Sequence, residues 1–293
     1  MDIVVCVKQV PDIEGRVVVD KGVISVRALV ASDVVNPQDL LAIEGALRIR
    51  EETGGGKVTL VSLGPSGAQE TLRRGLALGA DDAILLEDAA FAEGDSYATA
   101  CVLARVIASL PHDLVLCGQR ADDTQSGQVG ACLAEMLGLS LVRGVVKVDC
   151  GPAPGKLVLQ RKLAKGDREV VECSLPAVLT VETGLNTPRN ATIKGVLKAR
   201  GRQIPHQDCT ALGLSPEETG LAGSRARATR ISPPKPKMKG LFVPDSKLSS
   251  ADKLRAIMGG GMVQKKSNFV EGDPDHAAGE LLRFFKEQKV LPE

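Results

Sequence analysis

Short apolar runs alternate with stretches of helical periodicity along the first half of the chain. The runs have the length of buried strands and lie at 2–8, 57–63, 83–86 and 114–117. Between them, apolar side chains recur every three or four residues, which predicts amphipathic helices. The expected helices begin after Asn36, span 69–78, run from Asp95 to Leu110, and begin again at Val129. This alternation, continuing to about Gly138, predicts an α/β fold with a doubly wound, mostly parallel sheet.

The pattern becomes β-rich between Leu139 and Thr183. Two runs of strand-forming residues, 157–163 and 168–174, flank a turn and predict an antiparallel pair. Residues 176–182 predict another buried strand, so the sheet is expected to have an antiparallel edge. A separate hairpin is expected at 14–27, whereas the segment Gln9-Val10-Pro11-Asp12 is expected to break the first strand.

Local signals refine two of the helices. Asn36 followed by Pro37 is typical of a helix N-cap and first helical residue. Arg73 and Arg74 are expected on the exposed face of the helix at 69–78.

The C-terminal part of the chain has a different pattern. Residues 224–238 are basic and rich in proline, which predicts an extended arm. Helical pieces are expected at 250–258 and 276–288, and the second is amphipathic. A terminal helix on a long arm is expected to dock on this domain or on another chain.

Composition narrows the possible function. The 293 residues carry a formal net charge of +1, so no strong field would attract nucleic acid or an anionic membrane. There is no Trp, and one Tyr and five Phe offer few platforms for stacking bases. No apolar run has the length of a membrane span, and the N-terminal residues do not resemble a signal peptide. We therefore expect a cytoplasmic protein that binds no nucleic acid.

The cysteines and histidines do not predict a metal site. The seven cysteines are scattered, without a CxxC pair, which favours buried free thiols in a reducing compartment. His112, His206 and His276 lie far apart in the sequence.

The polar loop between Cys117 and Val129 is the strongest candidate for a binding site. It joins a strand end to a helix start, where open α/β sheets bind ligands and free N–H groups favour phosphate. Four of its side chains could cap the helix or contact a ligand: Asp123, Thr124, Ser126 and Gln128. Two interpretations remain, an ordinary strand-to-helix loop and a nucleotide site. The chain has neither a GxGxxG nor a GxxxxGK[ST] motif.

A basic stretch at 185–204 has no acidic residue of its own. It contains Arg189, Lys194, Lys198, Arg200 and Arg202. This is either a solvated face or a contact surface for an acidic partner.

Six stretches, in order, resemble the beta subunit of electron transfer flavoproteins. They are VCVKQVPD at 5–12, NPQDLLAIEGALR at 36–48, VTLVSLGP at 58–65, LRRGLALGADDAILL at 72–86, DLVLCGQRADDTQSGQVG at 113–130 and LNTPRNATIKGVLKAR at 185–200. The last is the most specific. The resemblance covers most of the chain to about Arg200 and implies an adenine-nucleotide alpha-hydrolase-like fold.

The resemblance also implies a heterodimer with an alpha subunit that holds the main FAD. In the housekeeping branch of the family the beta pocket holds a structural AMP. In the electron-bifurcating branch it holds a second FAD that accepts hydride from NADH. The complex passes electrons between an acyl-CoA or other flavin dehydrogenase and an acceptor. KQVPD, the acid of NPQD, FAEGDSYAT and the ending Gln128-Val129-Gly130 look more like the bifurcating branch.

No catalytic residue is expected in this chain, because the flavin supplies the chemistry. Oxidoreductase activity would belong to the whole flavoprotein complex. A nucleotide-sensing regulatory α/β domain is the alternative class of function, but it does not account for the segment 185–200.

The resemblance places the expected cofactor contacts at several strand ends. Cys6 and Lys8 would form the pocket floor. Asn36, Pro37, Gln38 and Asp39 would contact base or ribose, and Leu63 and Gly64 would lie at the second strand end. The loop residues expected around the phosphates are Gly118, Arg120, Asp123, Thr124, Gln125, Ser126, Gly127, Gln128 and Val129. Asp95 and Ser96 would either cap their helix or contact a larger nucleotide.

Partner docking is expected at Ile193, which occupies the position of an apolar anchor in a protruding recognition loop. Arg189 and Lys194 flank it. On this basis we expect a nucleotide-binding domain at 1–204, with the recognition loop at 185–200, and a C-terminal arm and helix at 205–293 that dock on the partner subunit.

Two features depart from the family pattern. Where the family often has G-[KR]-Q-A-I-D, the chain has Asp122 in place of the isoleucine, and Gln119 and Arg120 are exchanged. The tail is longer than in the housekeeping branch, with a glycine turn at 258–262.

Overall fold

The structure is a computed structural model that describes residues 1–12, 17–20, 23–26, 33–151, 155–227, 248–258 and 273–287. Residues 228–238 of the expected proline-rich arm and residues 259–262 of the expected glycine turn lie outside these residues. The chain forms two compact units, Met1–Pro233 and Pro234–Glu293.

The described residues of the first unit contain thirteen strands and six α-helices. The strands are β1 (Ile3–Cys6), β2 (Gln9–Pro11), β3 (Val17–Asp20), β4 (Val23–Val26), β5 (Asp33–Val35), β6 (Val58–Leu63), β7 (Asp82–Leu86), β8 (Leu114–Gly118), β9 (Ser140–Cys150), β10 (Lys156–Lys162), β11 (Arg168–Ser174), β12 (Ala177–Val181) and β13 (His206–Gln207). The helices are α1 (Pro37–Thr53), α2 (Ala68–Leu78), α3 (Ser96–Ala108), α4 (Val129–Leu137), α5 (Ile193–Arg200) and α6 (Gly220–Gly223). Short 3₁₀ turns occur at Ala89–Phe91, Ala164–Gly166 and Pro216–Glu218.

Nine of these strands form one sheet in the order β11-β10-β9-β12-β8-β1-β6-β7-β13. The pairs from β9 to β13 are parallel, while β9, β10 and β11 pair antiparallel. This confirms the predicted doubly wound α/β fold with an antiparallel edge. The chain order reverses at β1, which lies between β6 and β8. A crevice is therefore expected outside the carboxyl ends of these three strands.

Strand β1 is buried on both faces, as its continuous apolar run predicts. Ile3 and Val5 pack in the core cluster that contains residues of α1 and α2. Val4 and Cys6 pack on the opposite face with residues of α3 and α4. Each fully buried Ile or Val of this kind stabilises the fold by about 1.5–3 kcal/mol.

Two small antiparallel ribbons lie apart from the main sheet. The hairpin β3–β4 confirms the prediction for 14–27, although its turn lies outside the described residues. The first strand ends before residues 9–12, as predicted, and Gln9–Pro11 forms a separate strand, β2, which pairs with β5. Pro11 is tolerated there because a two-stranded ribbon has free edges.

The expected exposure of Arg73 on α2 is also wrong. Its guanidinium donates hydrogen bonds to the carbonyl oxygens of Ala199 (3.0 Å), Arg200 (3.1 Å) and Arg202 (3.0 Å). Arg73 thus binds the carbonyl groups at the end of α5, which lies more than 120 residues away in the sequence. Gly195 lies so close to α2 that a Cβ atom there would be 2.4 Å from the carbonyl oxygen of Ala77.

The compact unit continues beyond residue 204, the boundary expected from the sequence. β13 pairs with β7, and the residues that follow pack on the segment after β7. In the second unit, helices α7 (Ser250–Met258) and α8 (Pro274–Glu287) lie close to the predicted positions. Leu281 and Leu282 of α8 are exposed. None of the described helices is long and apolar enough to cross a membrane.

Candidate functional site

A cleft of about 860 Å³ opens at the carboxyl ends of β1, β6 and β8. The starts of α3 and α4 form part of its wall. The predicted cofactor residues that line it are Cys6, Lys8, Asn36, Asp39, Leu63, Gly64, Asp95, Ser96, Gly118, Arg120, Thr124, Ser126, Gly127, Gln128 and Val129. The other members of the predicted set, Pro37, Gln38, Asp123 and Gln125, belong to the same two segments but do not line the cleft.

Asp39 joins two strand ends beneath the cleft. It lies in the first turn of α1 and is almost fully buried. Its Oδ2 accepts a hydrogen bond from the backbone N–H of Lys8 (2.8 Å), and Oδ1 accepts one from that of Gly118 (2.9 Å). Burial raises the pKa of Asp39 to about 6, and the hydrogen bonds from Lys8, Asn36 and Gly118 oppose this rise. Asp39 therefore fixes the spacing of β1 and β8 at the cleft floor.

Asn36 occupies the N-cap position of α1, as the sequence predicts. Its side chain, however, makes no capping hydrogen bond to the helix. Instead its Nδ2 donates to the carbonyl oxygen of Arg120 (3.0 Å), and its Oδ1 accepts from the backbone N–H of Asp122 (3.2 Å). Gln38 reinforces this link, because its Oε1 accepts a hydrogen bond from the N–H of Arg120 (2.8 Å). The start of α1 thus holds the loop 118–128 in place.

Two buried thiols form an apolar part of the cleft floor. Cys6 ends β1 and Cys117 lies on the adjacent strand β8. Burial raises the pKa of Cys6 well above its ordinary value and that of Cys117 to about 12, and the Asp39 carboxylate adds to both shifts. Both thiols are neutral at pH 7, so this part of the floor is not a nucleophilic site.

Helix α4 begins at the cleft without a side-chain cap. Its N-cap residue, Gln128, makes no capping hydrogen bond. Gln125 (φ 54°) and Gly127 (φ 61°) adopt left-handed backbone conformations that turn the chain into the helix. The first N–H groups of an α-helix have no partner within the helix, and they favour an anion. Because Gly127, Gln128 and Val129 line the cleft, the uncapped helix start is available to a phosphate.

The polar side chains of the loop have partners elsewhere. Asp123 pairs with Lys8 (Nζ–Oδ2 2.6 Å) and accepts a hydrogen bond from the N–H of Thr124 (2.8 Å). The hydroxyl groups of Ser126 and Ser96 lie 2.8 Å apart and join the loop to the start of α3. Asp122, the residue that departs from the family pattern, contacts Gln125 (3.4 Å) and does not line the cleft.

The segment 87–95 forms the opposite wall, which the sequence reasoning largely missed. Its lining residues are Glu87, Asp88, Ala89, Phe91, Ala92, Glu93, Gly94 and Asp95. Glu93 has a left-handed backbone conformation (φ 57°), unusual for a residue other than glycine. Ala226, more than 120 residues further along the chain, also lines the cleft, and no local sequence signal marks it.

Asp95 both caps α3 and binds the backbone of a distant segment. Its Oδ1 accepts from the N–H of Ala98 (2.9 Å), and Oδ2 accepts from the N–H groups of Arg225 (2.8 Å) and Ala226 (2.7 Å). Burial acts to raise the pKa of Asp95, but these hydrogen bonds hold it below its usual value. Asp95 is therefore ionised at neutral pH.

Two of the three residues expected to dock a partner, Ile193 and Lys194, lie on α5, which packs on α2. Ile193 is the first residue of this helix and is 82% exposed. Val196 and Leu197 are also exposed. Thr192 caps the helix, because its Oγ1 accepts a hydrogen bond from the N–H of Gly195 (3.0 Å). The expected recognition loop is thus in part a capped helix, with an apolar face that includes Ile193 and is flanked by the exposed Lys194.

Arg189 has acidic partners within the chain that its own segment lacks. It pairs with Glu44 (Nε–Oε2 2.8 Å) and Glu51 (Nη1–Oε1 2.7 Å), both from α1. Glu44 is almost fully buried and also pairs with Arg48 (2.6 Å). Burial acts to raise the pKa of Glu44, but hydrogen bonds from Arg189 and Arg48 hold it below its usual value. This network fastens the segment before α5 to α1.

Comparison with known proteins places the chain among electron carriers. The profile of the electron transfer flavoprotein domain matches residues 26–211. The electron transfer flavoprotein subunit beta of Thermoanaerobacterium thermosaccharolyticum is 39% identical over 241 residues, which cover 82% of this chain and 91% of that protein. The caffeyl-CoA reductase-Etf complex subunit CarD of Acetobacterium woodii is 38% identical over 80% of this chain and 88% of its own.

A third relative has a different name but a similar extent of match. The acryloyl-CoA reductase electron transfer subunit gamma of Anaerotignum propionicum is 32% identical over 83% of this chain and 92% of its own. Since the profile matches more than half of the chain, and the relatives match over four-fifths of it, the chain belongs to the electron transfer flavoprotein family, among its beta subunits.

Proposed function

We propose that this chain is the beta subunit of a heterodimeric electron transfer flavoprotein, and that its cleft binds an adenine nucleotide. The observation that carries the proposal is the uncapped start of α4 at the switch point of the sheet. Phosphate groups are favoured there because free N–H groups and the positive end of the helix dipole face the same space. Arg120 adds positive charge at the cleft, whereas the charge of Lys8 is paired with that of Asp123.

The nucleotide that we favour is a second FAD, with AMP as the alternative. A cleft of about 860 Å³ lies in the upper part of the range of about 300–1,000 Å³ that is usual for ligand pockets. It extends from the ends of β1 and β6 to the start of α3. The neutral thiols and apolar side chains at its floor suit an aromatic ring system.

In such a complex the flavin supplies the redox chemistry, accepting hydride from NADH in the bifurcating branch. The side chains of this chain bind and orient. Asp39 fixes the cleft floor, and Asn36 and Gln38 hold the loop 118–128. Lys8 balances the negative charge of Asp123 in that loop. Acting as acid, base or nucleophile is not required of any of them.

We further propose two contact surfaces for partner proteins. The exposed apolar face of α5, with Ile193 at its start and Lys194 beside it, would dock an acyl-CoA or other flavin dehydrogenase. The C-terminal residues 205–293, including the apolar side of α8, would contribute to binding the alpha subunit, which holds the main FAD.

A cytoplasmic location fits the free state of the cysteines.

The test is to purify the chain with a co-expressed alpha subunit and to release and quantify the bound nucleotides. Two FAD per heterodimer would support the second-FAD assignment. One FAD with one AMP would move the chain to the housekeeping type. A chain that binds nucleotide but forms no flavin-containing heterodimer would support a regulatory nucleotide-sensing domain instead.

A further inference from the structure

Residues 206–226 run along the outer side of the cleft wall that segment 87–95 forms. We call residues 206–226 the strap. It begins at β13, which pairs with β7 through His206 and Gln207. Cys209 then enters the core cluster beneath α3, and the helical turns at 216–223 follow. The strap therefore covers the segment 87–95, whose residues face the cleft on the other side.

Two aspartates hold the strap in the same way. Asp88 accepts a hydrogen bond from the N–H of Ala90 (2.9 Å) and, with its other oxygen, from the N–H of Cys209 (2.9 Å). Asp95 caps α3 with one oxygen and binds the N–H groups of Arg225 and Ala226 with the other. Each carboxylate thus satisfies a helix start in the wall and the backbone of the strap at once.

Further contacts join the wall and the strap between these two points. The Oγ1 of the fully buried Thr219 donates to the carbonyl oxygen of Ala90 (3.2 Å). Gly220 approaches so closely that a Cβ atom there would lie 2.2 Å from the same carbonyl oxygen. The N–H of Asp95 donates to the Oγ of Ser224 (2.9 Å), and the guanidinium of Arg225 lies over the Tyr97 ring at 5.0 Å.

The wall depends on this support. Among the described residues, the hydrogen bonds that leave segment 87–95 go to the strap or to α3, into which the segment continues. The segment is hydrogen-bonded to the main sheet at Glu87, whose N–H donates to the carbonyl oxygen of Gln207. Gln207 lies in β13 and is itself a strap residue. Without the strap the wall would be held only at its two ends and by the packing of Phe91 in the core, and a ligand could leave on that side.

We propose that the strap holds the cleft wall closed over the bound nucleotide, and that Asp95 is the positioning residue that sets how long the nucleotide stays. This rests on the proposed nucleotide function of the cleft. The coupling is reciprocal, so a bound nucleotide also stabilises the strap. Ala226 is the point of direct communication, because it donates to Asp95 and itself lines the cleft.

The experiment uses the purified heterodimer with its bound nucleotide, and it measures two quantities. Hydrogen exchange in peptides that span 219–227 reports the hydrogen bonds of Arg225 and Ala226. Release of the nucleotide after dilution reports its residence time. In Asp95→Asn, an amide N–H₂ replaces one acceptor oxygen, so the strap loses its charge-assisted bonds. We expect exchange and release to become about tenfold faster, which is the lower end of the effect expected for the loss of a hydrogen bond to a charged group.

Two further variants separate the strap from direct contact with the ligand. Thr219→Val keeps the side-chain shape at a residue that does not line the cleft, and we expect exchange and release to rise by a smaller factor. Asp113→Asn is the matched control, because Asp113 accepts a backbone hydrogen bond from Asp2 (2.8 Å) at the opposite end of the sheet. It should change neither quantity.

The outcomes are distinct. Faster exchange in Asp95→Asn and Thr219→Val with unchanged nucleotide release would overturn the proposal that the strap controls residence. Rapid exchange of residues 225 and 226 in the unaltered chain would show that Asp95 does not hold them. A heterodimer that carries no nucleotide in the cleft would overturn the proposed function and this inference together.

Discussion

Asp39 and Gly118 approach so closely that the carboxylate and the glycine define each other's position. Oδ1 of Asp39 accepts the N–H of Gly118 at 2.9 Å, and a Cβ atom on Gly118 would lie only 2.4 Å from that oxygen. The start of α1 and the end of β8 are therefore in close contact at these two residues. A methyl group added to Gly118 would displace α1, and a shift of α1 would displace the end of β8.

Replacement of Gly118 by Ala should destabilise the chain and weaken the binding of nucleotide. The added Cβ would also lie 2.9 Å from that of Gln38, so α1 must move. Overpacking of this kind costs about 1–3 kcal/mol. Urea unfolding and nucleotide titration measure the two effects. Gly55→Ala is the control, because a Cβ atom there meets nothing within 4 Å, and equal losses in both variants would contradict the close fit.

The pH dependence of stability should carry a contribution from Asp39. Its pKa is about 6 in the folded chain and 3.8 when unperturbed, so the unfolded state loses its proton first as pH rises. The contribution of Asp39 to the free energy of unfolding is therefore undiminished below about pH 4 and falls by about 3 kcal/mol as pH rises through 6. Lys8, Asn36, Cys6 and Cys117 are the groups that face it.

The measurement compares nucleotide-free chain with the variant Asp39→Asn by urea unfolding from pH 4 to 7. Asn does not titrate. As pH rises, the free energy of unfolding of the unaltered chain should therefore fall relative to that of Asp39→Asn. Parallel pH profiles would show that Asp39 has an ordinary pKa.

Glu44→Gln should destabilise the chain by about 1.5–3 kcal/mol, because a nearly buried amide replaces the carboxylate that accepts hydrogen bonds from Arg189 and Arg48. Glu51→Gln is the matched control. It removes the other partner of Arg189 at a half-exposed position, where an ion pair contributes about 0–1 kcal/mol. Thermal and urea unfolding measure both. Similar small losses of unfolding free energy in the two variants would mean that burial of Glu44 does not make its ion pair with Arg189 more stabilising.

Ile193→Ala should weaken docking of the partner dehydrogenase without changing the fold. Truncation of a central apolar contact commonly costs about 1–2 kcal/mol, so the KM for the partner should rise about tenfold while kcat is retained. Val170→Ala is the control, since Val170 is 65% exposed on β11, away from α5. Steady-state reduction assays and circular dichroism measure the outcome. An unchanged KM would remove α5 from the docking surface.

Much of the fold could be predicted because local patterns agree with it. The strands β1, β6, β7 and β8 are nearly continuous apolar runs, and helical spacing marks the helices between them. The loop 118–128 could also be found, since it combines a strand end with a helix start. These signals lie within about ten residues of one another, which is the range over which sequence periodicity carries information.

The contacts that complete the site could not be predicted in this way. Asn36 has the sequence of an N-cap, yet its amide binds Arg120 and Asp122, which lie more than 80 residues away. Arg73 has the pattern of an exposed residue, yet it binds the end of α5. Ala226 has no side-chain chemistry at all, and only the folded chain brings its N–H to Asp95.

Helix α1 connects two distant parts of the chain. It begins at the cleft with Asp39 and carries, further along, the carboxylates of Glu44 and Glu51 that fasten Arg189. At 1.5 Å per residue, Asp39 and Glu51 are about 18 Å apart along one continuous helix. A single continuous helix between the cleft and the segment that leads to Ile193 therefore works as a rigid spacer, which holds these two regions of the chain at a fixed separation.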